Sequence, residues 1–133
     1  MILKFVQRLA GMPTGERNRV FDILFSFLVT FNYLWRMVII SKRKLIEFYD
    51  QEPKAKEPLL KWYHQTEMGD WNNLSEIKET FNTAEYVGND RYVFNIGGNK
   101  YRLVSMIHFS TRTLYIRFTG THKQYDKIDC KTI

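Results

Sequence analysis

The second half of the chain alternates apolar and polar positions with a period of two. The alternation is clear in three runs, at residues 91–96, 100–109 and 113–119. Such alternation is typical of β-strands that bury one face of a sheet and expose the other. Glycine and asparagine at residues 88–90 and 97–99 favour the tight turns that join antiparallel strands. We therefore predict a meander of three or four antiparallel strands.

The same alternation assigns side chains to the two faces of the predicted sheet. In the last strand, the positions predicted to face the core are apolar: Leu114, Ile116 and Phe118. The positions predicted to face outward are Tyr115, Arg117 and Thr119. Arg102, in the preceding strand, falls on the same outer face as Arg117. The two arginines should therefore lie together on an open sheet face, with Lys100 near one end.

Upstream of the meander, the pattern changes to helical spacing. Residues 38–40 are β-branched and predict a short strand, after which Ser41 is placed to cap a helix. Pro58 opens a second predicted helix of about residues 57–68, and Ser75 heads a third, shorter one. This order of elements predicts an α+β fold, in which N-terminal helices pack on one face of a twisted antiparallel sheet.

Residues 1–36 do not share these patterns. Their apolar run, at residues 20–35, is interrupted by Asp22 and other polar side chains. About 20 apolar residues are needed to cross a bilayer, so this run does not predict a membrane span. Met37, in contrast, opens the strand-then-helix pattern. We therefore expect residues 1–36 to be an extension, either a misassigned start or a disordered, apolar leader, and residues 37–133 to be the domain.

Composition limits the size and the compartment of the protein. A chain of 133 residues with 44% hydrophobic and 26% charged residues fits one soluble domain that needs no disulfide bonds. The single cysteine, Cys130, lies close to the C-terminus and suits a reducing compartment. We therefore expect a cytoplasmic protein without a membrane partner.

The distribution of charge points to the C-terminal third of the chain. The net charge of +6 is divided equally between residues 1–36 and residues 37–133, so the predicted domain is only mildly basic. Between Arg91 and Lys127, however, seven cations accompany a single acid, Asp126. An anionic partner should therefore dock on the last strands.

A turn after the last strand gathers groups that can move protons. Residues 121–127 include His122, Tyr125 and Lys127. Cleavage of RNA without a metal needs a base for the 2′-hydroxyl, an acid for the departing 5′-oxygen and cations around the phosphorane. Histidine is the usual base near neutral pH, and tyrosine or lysine can donate a proton or polarise a phosphate. The alternative interpretation is an ordinary turn histidine beside solvated strand cations.

Metal and nucleotide sites are not indicated by the sequence. No three histidine, cysteine and carboxylate residues have the spacing of a metal site, so we expect no metal or other cofactor. Residues 97–100 read GGNK, but they lie between predicted strands and lack the length and the following helix of a P-loop. The candidate chemistry therefore rests on acid–base groups and cations.

Short motifs across residues 37–133 together resemble a known family. They occur in the order ISKRKL at 40–45, PLLKWY at 58–63, VFNI at 93–96, GNKYRL at 98–103, IRF at 116–118, GTH at 120–122 and YDKID at 125–129, with Trp71 between the second and third. This ordered set resembles the HigB toxins of bacterial type II toxin–antitoxin systems, a branch of the RelE/ParE-like superfamily.

The resemblance implies a RelE-like fold and a ribosome-dependent, metal-independent mRNA endonuclease. It also implies a HigA-type antitoxin with a helix-turn-helix domain, through which the complex reaches operator DNA. The resemblance carries four residues over as catalytic: His122, Tyr125, Arg102 and Arg117. Four others are carried over as contacts to RNA or to its phosphates: Asn99, Lys100, Asp126 and Lys127. We interpret Asp126 as a residue that caps or orients the turn.

Two other functions fit the same resemblance. One is a ParE-like toxin that inhibits a protein target without cleaving RNA. The other is a catalytically degenerate partner that acts only as a co-repressor. Whether the toxin cleaves RNA or inhibits a protein target, we expect the antitoxin to cover the basic sheet face. An acidic or apolar peptide bound there would neutralise the toxin directly.

Overall fold

The computed structural model describes residue 11 and residues 13–133, apart from the side chains of residues 32–35. The chain divides into two compact units that meet in sequence between Trp35 and Arg36. Residues 1–10 of the predicted extension lie outside the described residues.

The described part of the first unit contains one helix, α1, at Thr14–Trp35. Within α1, Phe21 stacks on Phe25 and Phe27 stacks on Phe31, each pair with ring centroids 6.1 Å apart. The spacing of four residues brings the two rings of each pair to the same side of the helix. Over the part of the chain that the structure describes, no helix is both long enough and apolar enough to span a bilayer.

The second unit is built on a five-stranded sheet in the order β1-β5-β4-β3-β2. Its strands are β1 at Val38–Ile40, β2 at Glu85–Gly88, β3 at Arg91–Ile96, β4 at Tyr101–His108 and β5 at Thr113–Thr121. Strands β2 to β5 form the antiparallel meander that the sequence predicts. Strand β1 pairs with β5 in parallel, so the sheet is mixed. A parallel pair needs a long crossover, and the helices between β1 and β2 provide it.

The helices precede the meander, as predicted. They are α2 at Arg43–Gln51, a 3₁₀ turn at Pro53–Ala55, α3 at Lys56–Glu67 and α4 at Leu74–Thr80. Ser41 does not cap α2, because its backbone adopts a left-handed conformation with φ of 74° and the helix begins two residues later. Helix α4 is capped by Asn73, whose side chain accepts a hydrogen bond from the Glu76 N–H, and not by Ser75.

The main core lies between these helices and one face of the sheet. Its centre is aromatic. Trp62 of α3 packs edge to face on Phe94 of β3, with ring centroids 5.4 Å apart, and the Phe81 centroid lies 5.3 Å from that of Phe94. Fully buried aliphatic side chains fill the space around them: Leu45, Leu59, Ile77, Leu103, Ile107, Leu114 and Ile116. The α+β prediction, with helices on one face of the sheet, is confirmed.

A β-bulge in β5 changes which side chains face the core. Val104 pairs with Phe118 and Ser105 pairs with Ile116, which leaves Arg117 as an extra residue. An extra residue reverses the alternation beyond it. The prediction that Phe118 faces the core is therefore wrong, as is the outward placement of Thr119, which pairs with the buried Leu103.

The face opposite the main core has a small apolar layer of its own. Val93 and Val104 are almost fully buried there, at 2% and 0% exposure. The C-terminal segment, residues 126–133, reaches back along the sheet, since Asn89 Nδ2 donates to the Lys131 carbonyl at 3.3 Å. Arg91 donates to the Ile133 carbonyl at 2.7 Å. The end of the chain is thereby fixed beside the first hairpin of the meander.

Candidate functional site

The sheet face opposite the main core carries Arg102 on β4 and Arg117 on β5, and we call it the basic face. Both arginines are half-buried. Within residues 13–133, neither forms an ion pair with a carboxylate. The prediction that the two arginines share one face of the sheet is confirmed. Because neither is neutralised by a described carboxylate, both positive charges are available to a ligand.

Arg102 lies between β3 and β5, opposite Asn95 on one side and Gly120 on the other. Its guanidinium carbon is 5.6 Å from the centroid of the Tyr125 ring. The Nε atom is buried and has no hydrogen-bond acceptor among the described residues. A buried donor without an acceptor is costly, so an anion placed here would remove an energetic penalty.

Arg117 is held in the bulge by a helix on the other side of the sheet. Its backbone carbonyl accepts a hydrogen bond from Lys44 Nζ of α2 at 2.9 Å. Its guanidinium lies 5.6 Å from the Tyr115 ring and 3.9 Å from Met106 Sδ. Like Arg102, it has a buried Nε without an acceptor in the described part of the chain.

His122 begins the single-turn helix α5 at His122–Tyr125. Thr121 caps this turn, and a capping box with Gln124 satisfies the first backbone donors. His122 Nε2 lies 3.1 Å from Asn99 Oδ1, in the turn between β3 and β4. An amide oxygen only accepts, so this contact favours the tautomer that carries the proton on Nε2 and has its lone pair on Nδ1.

Tyr125 stands at the other end of α5, between the sheet and the C-terminal segment. Its hydroxyl donates a hydrogen bond to Cys130 Sγ at 3.6 Å. Burial and the neighbouring Cys130 raise the pKa of Tyr125 to about 12, although the positive charge of Arg102 acts in the opposite direction. The phenol therefore keeps its proton at neutral pH.

The structure places the other predicted site residues around these groups. Asn99 and Lys100 lie in the exposed turn before β4. Asp126 and Lys127 follow α5 and are also exposed. The Asp126 backbone N–H donates to the His122 carbonyl and so ends the helical turn. The side chains of Asp126 and Lys127 form no hydrogen bond or ion pair with another described residue. Of the predicted site residues, the structure brings two pairs into direct contact: Asn99 with His122, and Arg102 with Tyr125.

Sequence reasoning missed three neighbours of these groups. Tyr115 and Met106 contact Arg117 because the bulge directs its side chain toward them. Cys130 is not among the predicted site residues, yet it accepts the hydrogen bond from Tyr125. The alternation of β5 could have indicated Tyr115, which is predicted to face outward with Arg117, but no local pattern indicates Cys130.

The arrangement offers acid–base groups and cations at one end of a sheet. In the described ranges, no three histidine, cysteine or acidic residues lie close enough together to hold a metal ion. His122 can accept a proton, Tyr125 carries one, and the two arginines have no acidic partner within residues 13–133. Such a set of groups is suited to a reaction at a phosphodiester.

Comparison with known proteins gives the family. The model of the HigB toxin family, described as the RelE-like toxic component of a toxin–antitoxin system, matches residues 55–128. A protein of Escherichia coli (strain K12) named mRNA interferase toxin HigB is 31% identical over 93 residues, which cover 68% of this chain and 88% of that protein. The mRNA interferase HigB of Shigella flexneri has the same identity and coverage.

A more distant relative shows the same correspondence. The mRNA interferase HigB of Escherichia coli O6:H1 is 27% identical over 94 residues, covering 69% of this chain and 91% of that protein. The family match extends from the end of the 3₁₀ turn to just beyond α5, and includes every predicted site residue. The chain therefore belongs to the HigB family of RelE-like toxins of toxin–antitoxin systems.

Proposed function

We propose that this toxin is an endoribonuclease that cleaves mRNA on the translating ribosome, and that the basic face binds the substrate. The names of its relatives support mRNA as the substrate. The observation that carries the proposal is the pair Arg102 and Arg117, which lie half-buried on one face. Among the described residues, neither has an acidic partner, and the buried Nε of each lacks an acceptor. Phosphate oxygens are suitable acceptors for both guanidinium groups.

The proposed reaction is transfer of the phosphate to the neighbouring 2′-hydroxyl. His122 takes the proton from that hydroxyl, the 2′-oxygen attacks phosphorus, and the bond to the 5′-oxygen breaks. Tyr125 gives its proton to the departing 5′-oxygen. The products are a 2′,3′-cyclic phosphate and a 5′-hydroxyl end. No metal is needed, because the side chains supply both proton transfers.

The geometry supports this division of roles. Tyr125 has a pKa of about 12 and so carries a proton at neutral pH, and the positive charge of Arg102, 5.6 Å from its ring, favours the phenolate that remains once the proton is given. The hydrogen bond to Asn99 leaves His122 Nδ1 as an acceptor. The two residues are three positions apart on one helical turn, so their side chains lie on the same side.

The remaining site residues bind the RNA strand and stabilise the charge of the transition state. Arg102 and Arg117 stabilise the negative charge that develops on the phosphorane. Lys100 and Lys127, both exposed, contact the flanking phosphates. Asn99 is a positioning residue for His122 and Asp126 orients the turn.

The toxin acts in the cytoplasm, where its partners are the ribosome, mRNA and a HigA-type antitoxin. The family implies an antitoxin. We propose that it covers the basic face with an acidic or apolar segment, and that the complex binds operator DNA through the helix-turn-helix domain of the antitoxin. Residues 37–133 carry the activity, and residues 1–36 are an extension that the activity does not need.

The test is induced expression of residues 1–133 and of residues 37–133 in a bacterial host, followed by mapping of RNA 5′ ends within minutes. Both chains should produce new ends with 5′-hydroxyls inside translated frames. Arg117→Ala should abolish them while the variant still accumulates and still binds the antitoxin. Growth arrest without new RNA ends would reject the endoribonuclease in favour of an inhibitor of a protein target.

A further inference from the structure

The basic face carries an aromatic pair beyond the two arginines. Tyr115 of β5 and His108 of β4 lie with ring centroids 6.0 Å apart and planes at 79°, in an edge-to-face arrangement. Tyr115 pairs with Met106 across the sheet, and His108 pairs with Thr113. The alternation of β4 places His108 on the same face as Arg102. This aromatic pair therefore continues the basic face away from His122.

The pair is joined directly to one of the arginines. The Arg117 guanidinium carbon lies 5.6 Å from the Tyr115 ring centroid, within the range of a cation–π contact. Only Ile116 separates them along β5, and the bulge turns Arg117 toward this side. A phosphate bound by Arg117 would therefore have an aromatic ring next to it.

Packing alone does not account for these rings. Side chains that serve the small apolar layer on this face, Val93 and Val104, are 2% and 0% exposed. Tyr115 and His108 are only half-buried and lie outside the main core cluster. Their ring surfaces are thus partly open to a ligand on the same side as the arginines.

We propose that Tyr115 and His108 form a stacking platform for one nucleobase of a single-stranded RNA whose phosphate lies against Arg117. This inference rests on the proposed function and extends it. A flat aromatic surface beside a cation without an acidic partner fits a nucleotide, because the base stacks on the ring and the phosphate meets the guanidinium. His108 packs against the Tyr115 ring at 79° and so fixes its orientation, and the platform contributes to the choice of cleavage position.

The first experiment is a binding cycle with the full chain and a single-stranded RNA oligonucleotide that carries 2′-O-methyl groups to prevent cleavage. Tyr115→Leu should weaken binding by roughly 10-fold, the scale of losing one stacked base. Tyr115→Phe keeps the ring and should bind like the wild type. Tyr86→Leu is the matched control, because Tyr86 is a 50% exposed tyrosine on the edge strand β2.

The same cycle is repeated with RNA in which each base in turn is removed to leave an abasic nucleotide. At one position, loss of the base should lower the affinity of the wild type roughly 10-fold and leave the affinity of Tyr115→Leu almost unchanged. Both changes remove the same stacking contact. If the affinity losses from Tyr115→Leu and from the abasic nucleotide multiply at every position, no base stacks on Tyr115 and the proposal is wrong. Equal binding by Tyr115→Leu and the wild type would also overturn it.

Mapping of cleavage positions separates this inference from the proposed function. If the wild type cleaves mRNA and Tyr115→Leu cleaves with altered base preference, both are supported. If both chains cleave with identical rates and preferences, the endoribonuclease stands and the platform is wrong. If the wild type produces no new ends, the endoribonuclease is wrong, and the abasic cycle alone decides whether a base stacks on Tyr115.

Discussion

The guanidinium of Arg102 lies over the ring of Tyr125, with 5.6 Å between its central carbon and the ring centroid. On its other side, Tyr125 donates a hydrogen bond to Cys130 Sγ. The two neighbours act on the phenol in opposite directions, since Cys130 raises its pKa and Arg102 lowers it. Burial is the largest cause of the shift, and the pKa reaches about 12, so Tyr125 keeps its proton at neutral pH.

Removal of the Tyr125 hydroxyl should therefore abolish most activity without unfolding the protein. Tyr125→Phe keeps the ring beside Arg102 and loses the proton, and we expect cleavage to fall by about 10²- to 10⁴-fold, the usual contribution of a general acid. Single-turnover cleavage on programmed ribosomes measures the loss. Tyr86→Phe, on the edge strand, is the control and should cleave normally. Full activity in Tyr125→Phe would rule out the role of acid.

The raised pKa of Tyr125 should also appear in the pH dependence of stability. A tyrosine in the unfolded chain loses its proton near pH 10.0, whereas folded Tyr125 keeps its proton until about 12. Above pH 10 the unfolded state binds fewer protons, so the free energy of unfolding falls between pH 10 and 12 and is unaffected below.

Urea denaturation across that pH window provides the measurement. Tyr125→Phe lacks the titrating group, so its free energy of unfolding should decline less than that of the wild type. Cys130→Ala removes one of the causes of the raised pKa, and its decline should be intermediate. If the free energy of unfolding has the same pH dependence in all three proteins, the pKa of Tyr125 is not raised.

Substitution of the two arginines should affect catalysis and leave folding intact. Arg102→Ala and Arg117→Ala each remove a cation that would face the phosphorane, and we expect each to lower the cleavage rate by about 10²- to 10³-fold. Thermal unfolding should change little, since neither arginine forms an ion pair with a described residue. The control is Arg43→Ala, because that side chain is 88% exposed on α2 and its ion pair is with Glu47, one turn along the same helix.

Asn99 offers a way to change the charge next to His122. In Asn99→Asp, a carboxylate replaces the amide oxygen 3.1 Å from Nε2 and stabilises the protonated imidazole. If His122 is the base, the acid limb of the pH–rate profile should move to higher pH. Asn82→Asp, at an exposed turn position, is the matched control and should leave the profile unchanged. An unmoved acid limb in Asn99→Asp would remove His122 from the reaction.

A side chain at Gly120 should destabilise the fold. A Cβ atom at this position would lie 2.5 Å from the Phe118 ring and 2.7 Å from Gln124 Oε1. Gly120→Ala must therefore displace the ring or break the capping box of α5, and we expect a loss of about 1–3 kcal/mol in the free energy of unfolding. Gly15→Ala, where nothing lies within 4 Å, should be neutral or slightly stabilising.

Much of the fold and of the composition of the site could be predicted from the sequence. The meander, the helices before it and the common face of Arg102 and Arg117 follow from periods of two and about 3.6 residues, which depend only on neighbours along the chain. The ordered motifs indicated the family, and the family match confirmed it.

The three-dimensional contacts decided the rest. The bulge at Arg117, which moves Phe118 out of the core, is stabilised by Lys44, 73 residues earlier in the chain. The parallel pairing of β1, the contact of Asn99 with His122 and the bond from Tyr125 to Cys130 likewise depend on how elements pack. Alternation cannot reveal an inserted residue or a distant partner, because both are chosen by the free energy of the assembled sheet and not by local spacing.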